Sequence, residues 1–285
     1  MRGGVEGRLE TVLGAAVAGL RALSGGCIGD VYRADLTDGR RVVIKVDSSS
    51  RPQLDVEAYM LRYLREHSGL PVPDVLHGEP GLLVLAYIEG DSRFGPHEQT
   101  HAAELLAELH SVKSDRFGLE RDTLIGSLHQ PNPWTATWID FFREHRLIHM
   151  ARGAYQSGRM PKNTYSRVEA FAARLEQYLL EPESPSLLHG DVWTTNVLAH
   201  GGRITGFIDP AIYFGHPEIE LAFTTLFGTF GDVFFGRYHE LRPIEPGFFE
   251  VRRDVYNLYP LLVHVRLFGG GYLGDVERTL ARLGF

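Results

Sequence analysis

Residues 188–210 read LHGDVWTTNVLAHGGRITGFIDP. Asn196 follows Asp191 by five residues, and Asp209 follows it by eighteen. All three sit among apolar neighbours, where an unpaired polar group is costly. Carboxylate and amide oxygens are also the ligands that hard divalent cations take. The run NVLA ends at the turn signal HGGR (200–203), and ITGFIDP follows. A hairpin there carries Asp209 back toward Asp191 and Asn196. The spacing therefore predicts that the three groups meet. An Asx-type loop cap explains any one of them alone, but not all three together.

The residues upstream supply companions. SGGCIGDVY (24–32) places Gly25, Gly26 and Gly29 between two predicted strands. Such a loop lets backbone N–H groups approach phosphates without a Cβ in the way. It is not a Walker A loop, because no Gly-Lys-Ser/Thr follows. Lys45, in VVIKV, lies on an apolar strand and needs a partner; Glu57, on the helix that follows, is the candidate. Protein kinases hold the α- and β-phosphates with a strand lysine of this kind. Their catalytic loop spaces an aspartate and a metal-binding asparagine as Asp-x-x-x-x-Asn. The three groups of the opening stretch thus read as a magnesium and hydroxyl site for phosphoryl transfer.

The whole chain bounds this reading. It has 285 residues, 44% of them hydrophobic, enough for one large domain or two sharing a cleft. A net charge of −7 argues against a broad nucleic-acid surface. One cysteine, Cys27, rules out an internal disulfide framework and fits a reducing compartment. No apolar run approaches the roughly 20 residues that span a bilayer. The expectation is a soluble cytoplasmic protein, with no nucleic-acid or membrane partner, as a monomer or weak dimer.

Val5, Leu9, Val12, Leu13 and Ala16 have helical spacing and predict a short amphipathic helix. Strands are predicted at 20–26, 30–36 and 41–47, with TDGR (37–40) as a hairpin turn, and two more within 72–90 around Glu-Pro-Gly. A helix is predicted over 51–67, with Pro52 at its start. Beyond residue 91 the pattern turns helical, at 100–112, 134–151, 166–180, 217–230 and 255–273. The fold class is α+β in two lobes. Residues 1–88 form a β-rich nucleotide-binding lobe with one helix. Residues 89–285 form a mainly helical catalytic and substrate lobe, with the hinge near Ala86–Asp91.

HGD and IDP, where protein kinases carry HRD and DFG, resemble the small-molecule kinases of the protein-kinase-like superfamily. Within it the chain resembles the fructosamine kinase (ketosamine-3-kinase) family. The matching strings are SGGCI (24–28), FGLERDTLIGSLHQPNPW (117–134), LLHGDVWTTNVL (187–198), IDPAIYFGHPEIELAFTTLFG (208–228) and LFGGGYL (267–273). They run in family order along nearly the entire chain. The resemblance implies a two-lobe protein-kinase-like fold and ATP-dependent phosphorylation of ketosamines at the sugar 3-hydroxyl, with Mg²⁺. The acceptor would be a small ketosamine or a glycated protein lysine, and the outcome deglycation.

Carried over, Asp191 is the catalytic aspartate, and Asn196 and Asp209 are the metal ligands. Lys45 and Glu57 are the phosphate-clamping pair. Gly25, Gly26, Cys27 and Gly29 cover the phosphates, and backbone at Tyr87 and Ile88 meets adenine. Trp193, Gln130, Asn132 and His216 are the substrate candidates. Core packing competes for an aromatic, loop capping for Gln130 and Asn132.

Four positions depart from the family pattern. Thr194 and Thr195 stand where Ser-Gly is usual, Ala86 where an acidic hinge residue is common, and Arg266 where a smaller polar residue is expected. An aminoglycoside- or choline-type kinase is the competing enzyme, since the fold sets only phosphotransfer. A non-catalytic nucleotide-binding module would have lost the lysine or an aspartate; this chain keeps them all.

Overall fold

A computed structural model describes residues 2–23 and 29–285. Gly25, Gly26 and Cys27 lie outside the described residues.

Helix α1 (Arg2–Leu13) precedes β1 (Val17–Ala22), β2 (Asp30–Leu36) and β3 (Arg41–Val46). The first strand begins three residues before the sequence expectation and ends earlier. Antiparallel pairing, with Leu20 opposite Ala34 and Ala22 opposite Tyr32, sets its register. TDGR does close the β2–β3 hairpin: Leu36 N–H donates to Arg40 O at 2.8 Å and Gly39 takes φ +86°. Helix α2 (Leu54–His67) follows, then β4 (Val75–Glu79) and β5 (Leu82–Ala86). The five strands form one antiparallel sheet in the order β1-β2-β3-β5-β4.

Alternation along the strands sorts their side chains between two cores. Val42, Ile44, Leu82 and Val84 pack with Leu9 of α1 on one face. Leu83 and Leu85 face the other way and join the core shared with α2, whose Leu54, Ala58, Leu61 and Leu64 repeat at helical spacing. Lys45 therefore projects from the sheet toward α2.

The helical part begins with α3 (Pro96–Leu109), which starts at a proline as the geometry of a first turn allows. A short hairpin, β6 (Thr123–Ile125) and β7 (Leu128–Gln130), comes next. The single helix expected over 134–151 is instead α4 (Trp138–Phe142), a π-helical turn (Arg143–Ile148) and α5 (His149–Gln156). The π turn carries Arg146 inward, where its guanidinium lies 3.9 Å from the Tyr213 ring centroid and 4.5 Å from that of Phe141. Helical periodicity alone does not register such a one-residue slip.

Helix α6 (Lys162–Ala172) leads through a 3₁₀ turn to β8 (Ser186–Leu188). The hairpin β9 (Val197–His200) and β10 (Arg203–Phe207) and the strand β11 (Tyr213–Gly215) carry the opening stretch. Helices α7 (Pro217–Leu226), α8 (Asp232–Leu241), α9 (Arg253–Phe268) and α10 (Gly271–Arg282) complete the chain. The last two were expected as one helix. Gly269 and Gly270, at φ +67° and +62°, break it. No described helix is long and apolar enough to cross a membrane.

One buried ion pair ties the helical core together. Arg252 donates to Glu218 through Nε at 2.7 Å and Nη2 at 2.6 Å. Glu218→Gln leaves the guanidinium buried without a charge partner, and should lower unfolding free energy by about 3–5 kcal/mol. A denaturant titration checks this.

Candidate active site

The chain reverses at Gly201 and Gly202, φ +60° and +81°, which are the dihedrals a tight β9–β10 hairpin demands. The hairpin is held from outside. Asp91 and Ala199 exchange backbone hydrogen bonds at 2.9 and 2.8 Å, and Phe207 N–H donates to Pro71 O at 2.8 Å. Ile88 rests against Gly206, where a Cβ would lie 2.5 Å from its Cδ1. The segment leaving the sheet is thus stitched to the strands that carry Asn196 and Asp209.

Asp209 takes φ +53°, the single non-glycine positive φ among the described residues. That conformation costs on the order of 1–3 kcal/mol and persists where surroundings impose it. Its carboxylate Oδ1 accepts from Lys45 Nζ, which also donates to Glu57 Oε1 at 2.8 Å. Lys45 and Glu57 are both buried. Burial alone would lower the lysine, but the charges of Asp209 and Glu57 outweigh it and hold it above its ordinary value. Burial raises Glu57 against the pull of Lys45.

Across the site, Asn196 Nδ2 donates to Asp191 Oδ2 at 2.8 Å and to Asp191 O at 3.0 Å. Asp191 is pushed up to about 8, by burial first and by the charge of Asp209 second, with the Asn196 hydrogen bond opposing. At pH 7 such a carboxyl holds its proton, and a cation bound beside it would lower it and free the carboxylate to accept one. The structure thus brings together Lys45, Glu57, Asp191, Asn196 and Asp209.

The oxygens left over fit a hard cation. Asn196 spends its amide N–H groups on Asp191, leaving Oδ1 with only a 3.5 Å approach from Thr195 Oγ1. Asp209 keeps Oδ2 free of Lys45. Two protein oxygens with the remaining positions open is how Mg²⁺ is held against a nucleotide's phosphates. A cation there would also relieve the mutual repulsion that raises Asp191.

A buried chain supports the loop that carries Asp191. Gly190 N–H donates to Glu220 Oε1 at 2.6 Å, and His110 Nε2 lies 2.9 Å from Glu220 Oε2. His110 Nδ1 lies 2.7 Å from the Tyr238 hydroxyl. His189 Nδ1 accepts from Asp191 N–H at 3.3 Å. Burial lowers both histidines, so each is neutral at pH 7. Gly190 has φ +85°, and a Cβ there would lie 2.1 Å from Ala211 O. Gly190→Ala should therefore displace Asp191 and lower kcat by about 100-fold, while ATP still binds by calorimetry.

The substrate candidates divide. Trp193 is half-buried, its ring 5.4 Å from Phe227 and 6.4 Å from His264, with Tyr272 4.8 Å beyond His264. Phe268, 59% exposed, closes this aromatic wall. The sequence reading missed His264, which sits on a buried helical stripe with no distinguishing spacing.

Gln130 and Asn132 turn inward. Both are buried and fully engaged. Gln130 donates to Thr123 Oγ1 and Ala211 O and accepts from the Tyr259 hydroxyl at 2.6 Å. Asn132 donates to Thr123 Oγ1 and accepts from Arg146 at 2.7 Å. Neither offers a free group to a sugar in this geometry. His216 caps α7, accepting from Glu218 N–H at 3.1 Å, and lines a cavity that includes none of Lys45, Asp191, Asn196 or Asp209. Arg266 packs its guanidinium against Gly153 and donates to Met150 Sδ at 3.3 Å, so its head lies between helices.

The fructosamine kinase family profile matches residues 5–284. The chain belongs to the fructosamine kinase family. It is 36% identical over 272 residues to a ketoamine kinase assigned in Synechocystis, covering 91% of this chain and 88% of that one. It is 32% identical over 267 residues to the chloroplastic protein-ribulosamine 3-kinase of rice, covering 90% and 76%. A crystal structure from Thermobifida fusca assigned to fructosamine-3-kinase superposes with a TM-score of 0.86 at 31% identity over 98% of both chains. The two-lobe protein-kinase-like fold and kinase activity with ATP follow from membership. Aminoglycoside- or choline-type activity is not favoured by these relatives.

Proposed function

We propose that the chain transfers the γ-phosphoryl group of ATP to the 3-hydroxyl of a ketosamine, either free or on a protein lysine. The observation that carries this reading is the convergence of Asp191, Asn196, Asp209 and the Lys45–Glu57 pair on one cleft edge, in a chain of this family.

Asp191 would orient the acceptor hydroxyl and take its proton. Lys45, fixed from both sides by carboxylates, would hold the α- and β-phosphates. Gly25, Gly26, Cys27 and Gly29 would cover those phosphates. Asn196 and Asp209 would hold Mg²⁺, which when bound neutralises charge on the bridging phosphate oxygens. Tyr87 N–H already donates to Arg41 O at 3.2 Å, so the backbone donor for adenine falls to Ile88. Trp193 and His264 would flank the sugar, with Phe268 toward the amine side. A lobe boundary at residue 88 would put Lys45, Glu57 and the glycine loop in one lobe, and Asp191, Asn196, Asp209 and the acceptor wall in the other.

Positioning and electrostatics would supply most of the acceleration, because phosphoryl transfer leaves the protein little covalent work. Release of ADP with ribulosyl-lysine, fructosyl-lysine, kanamycin and choline as alternative acceptors tests the assignment. Release with the ketosamines alone is the expected result. Release only with kanamycin or choline would overturn it.

A further inference from the structure

A cavity of about 590 Å³ opens on the helical body and shares no lining residue with the catalytic constellation. Its volume is that of an ordinary small-molecule site. Lys113, Arg242, Ser186 and His216 supply its donors. Among the described residues, neither Lys113 nor Arg242 forms an ion pair. Lys113 Nζ donates to Ser186 Oγ at 2.9 Å, and Arg242 sits against the Tyr238 hydroxyl. Both cations line the one cavity, and burial first, then the charge of Arg242, pushes the Lys113 ammonium down against the opposing pull of Glu183.

His216 is the third donor. It is nine-tenths buried, and its Nδ1 is occupied by Glu218 N–H. The proton of the neutral ring therefore sits on Nε2, which has no hydrogen-bond partner among the described residues.

The acidic lining does not cancel these donors. Glu181 is spent on the N–H groups of Trp138 and Ile139 at 2.7 and 2.9 Å, and Glu218 on Arg252. Glu183 and Glu245 stand on the exposed rim, where they disfavour a polyanion. Leu180, Leu221, Pro243 and Ile244 leave an apolar wall beside the donors. An ammonium, a guanidinium fork and an imidazole lining one cavity beside apolar surface suit a tetrahedral oxyanion carrying an organic body.

The cavity also touches the loop support. Tyr238 lines it, and the path from its hydroxyl runs through His110 and Glu220 to Gly190, beside Asp191. Ser186 lies on β8, which leads directly into His189.

We propose that this cavity binds a small phosphate monoester through Lys113, Arg242 and His216, and that occupancy raises turnover through Tyr238, His110 and Glu220. The anion would turn the repulsion between Lys113 and Arg242 into a bridge, firming β8 and the end of α8 beneath the catalytic loop. The binding half is independent of the acceptor assigned above; the turnover half rests on it.

The probes are ribose 5-phosphate and inorganic phosphate, titrated by calorimetry into full-length protein whose nucleotide site is filled with a non-hydrolysable ATP analogue and Mg²⁺. No ketosamine is present, so the result stands whichever acceptor the enzyme uses. Saturable ribose 5-phosphate binding, weakened at least about tenfold in Lys113→Met/Arg242→Met, is the expected result. Equal affinity in that variant, or no binding up to about 10 mM, overturns the site. Inorganic phosphate should bind more weakly; equal binding would overturn the monoester assignment.

With the acceptor identified by ADP release, ribose 5-phosphate should raise kcat in the wild type. Tyr238→Phe should still bind it but lose the response. An unchanged or lower kcat in the wild type, or a response retained in Tyr238→Phe, overturns the coupling.

Discussion

Asp191→Ala should lower kcat by about 10²–10⁴-fold, the range removed with a positioned general base, while ATP affinity stays the same or improves. The argument is electrostatic. Asp191 is half-buried beside Asp209, and the repulsion between them contributes to the upward shift of the Asp191 carboxyl. Removing one carboxylate lessens the negative charge that triphosphate meets. Asp191→Asn separates the two roles of the side chain, since it preserves its size while removing the proton acceptor. It should be as inactive as the alanine variant and as competent for ATP. Calorimetry with ATP and a coupled ADP assay read the two quantities separately. Loss of nucleotide binding in both variants would contradict the assignment.

Lys45→Met is the second large effect. Lys45 is buried between Glu57 at 2.8 Å and Asp209. Its replacement removes the cation that would clamp the phosphates and leaves two carboxylates facing each other without it. A fall in kcat/KM for ATP of about 10²–10³-fold is expected, comparable with removal of one preorganised transition-state donor. Unlike Asp191→Ala, this variant should lose ATP affinity as well as rate. Glu57→Gln should follow it in direction with a smaller change, because Asp209 still holds the lysine. Steady-state kinetics with ATP varied distinguishes the three variants.

The parts of the site legible in sequence are those that local periodicity fixes. Lys45 could be assigned to a strand face because alternation in VVIKV leaves one position for each side, and Glu57 falls on the inward stripe of the next helix. Asp191, Asn196 and Asp209 could be joined because HGGR allows only a tight reversal. What stayed illegible depends on how distant elements pack. Gln130 and Asn132 looked available for a sugar, yet α9 lays Tyr259 over Gln130 and the π turn lays Arg146 over Asn132. No spacing within 117–134 announces either neighbour. His216 follows Asp209 by only seven residues, but β11 leads it to the start of α7 and a separate cavity. His264 joins the aromatic wall through Trp193, from the opposite end of the sequence.

Phosphorus NMR on the wild-type protein with Mg-ATP and ribulosyl-lysine tests the central claim most directly, with Asp191→Ala alongside. The account predicts a new phosphomonoester signal, formed only by the wild type and correlated to the proton on C3 of the sugar. ADP without that signal, or the same signal from Asp191→Ala, would contradict it.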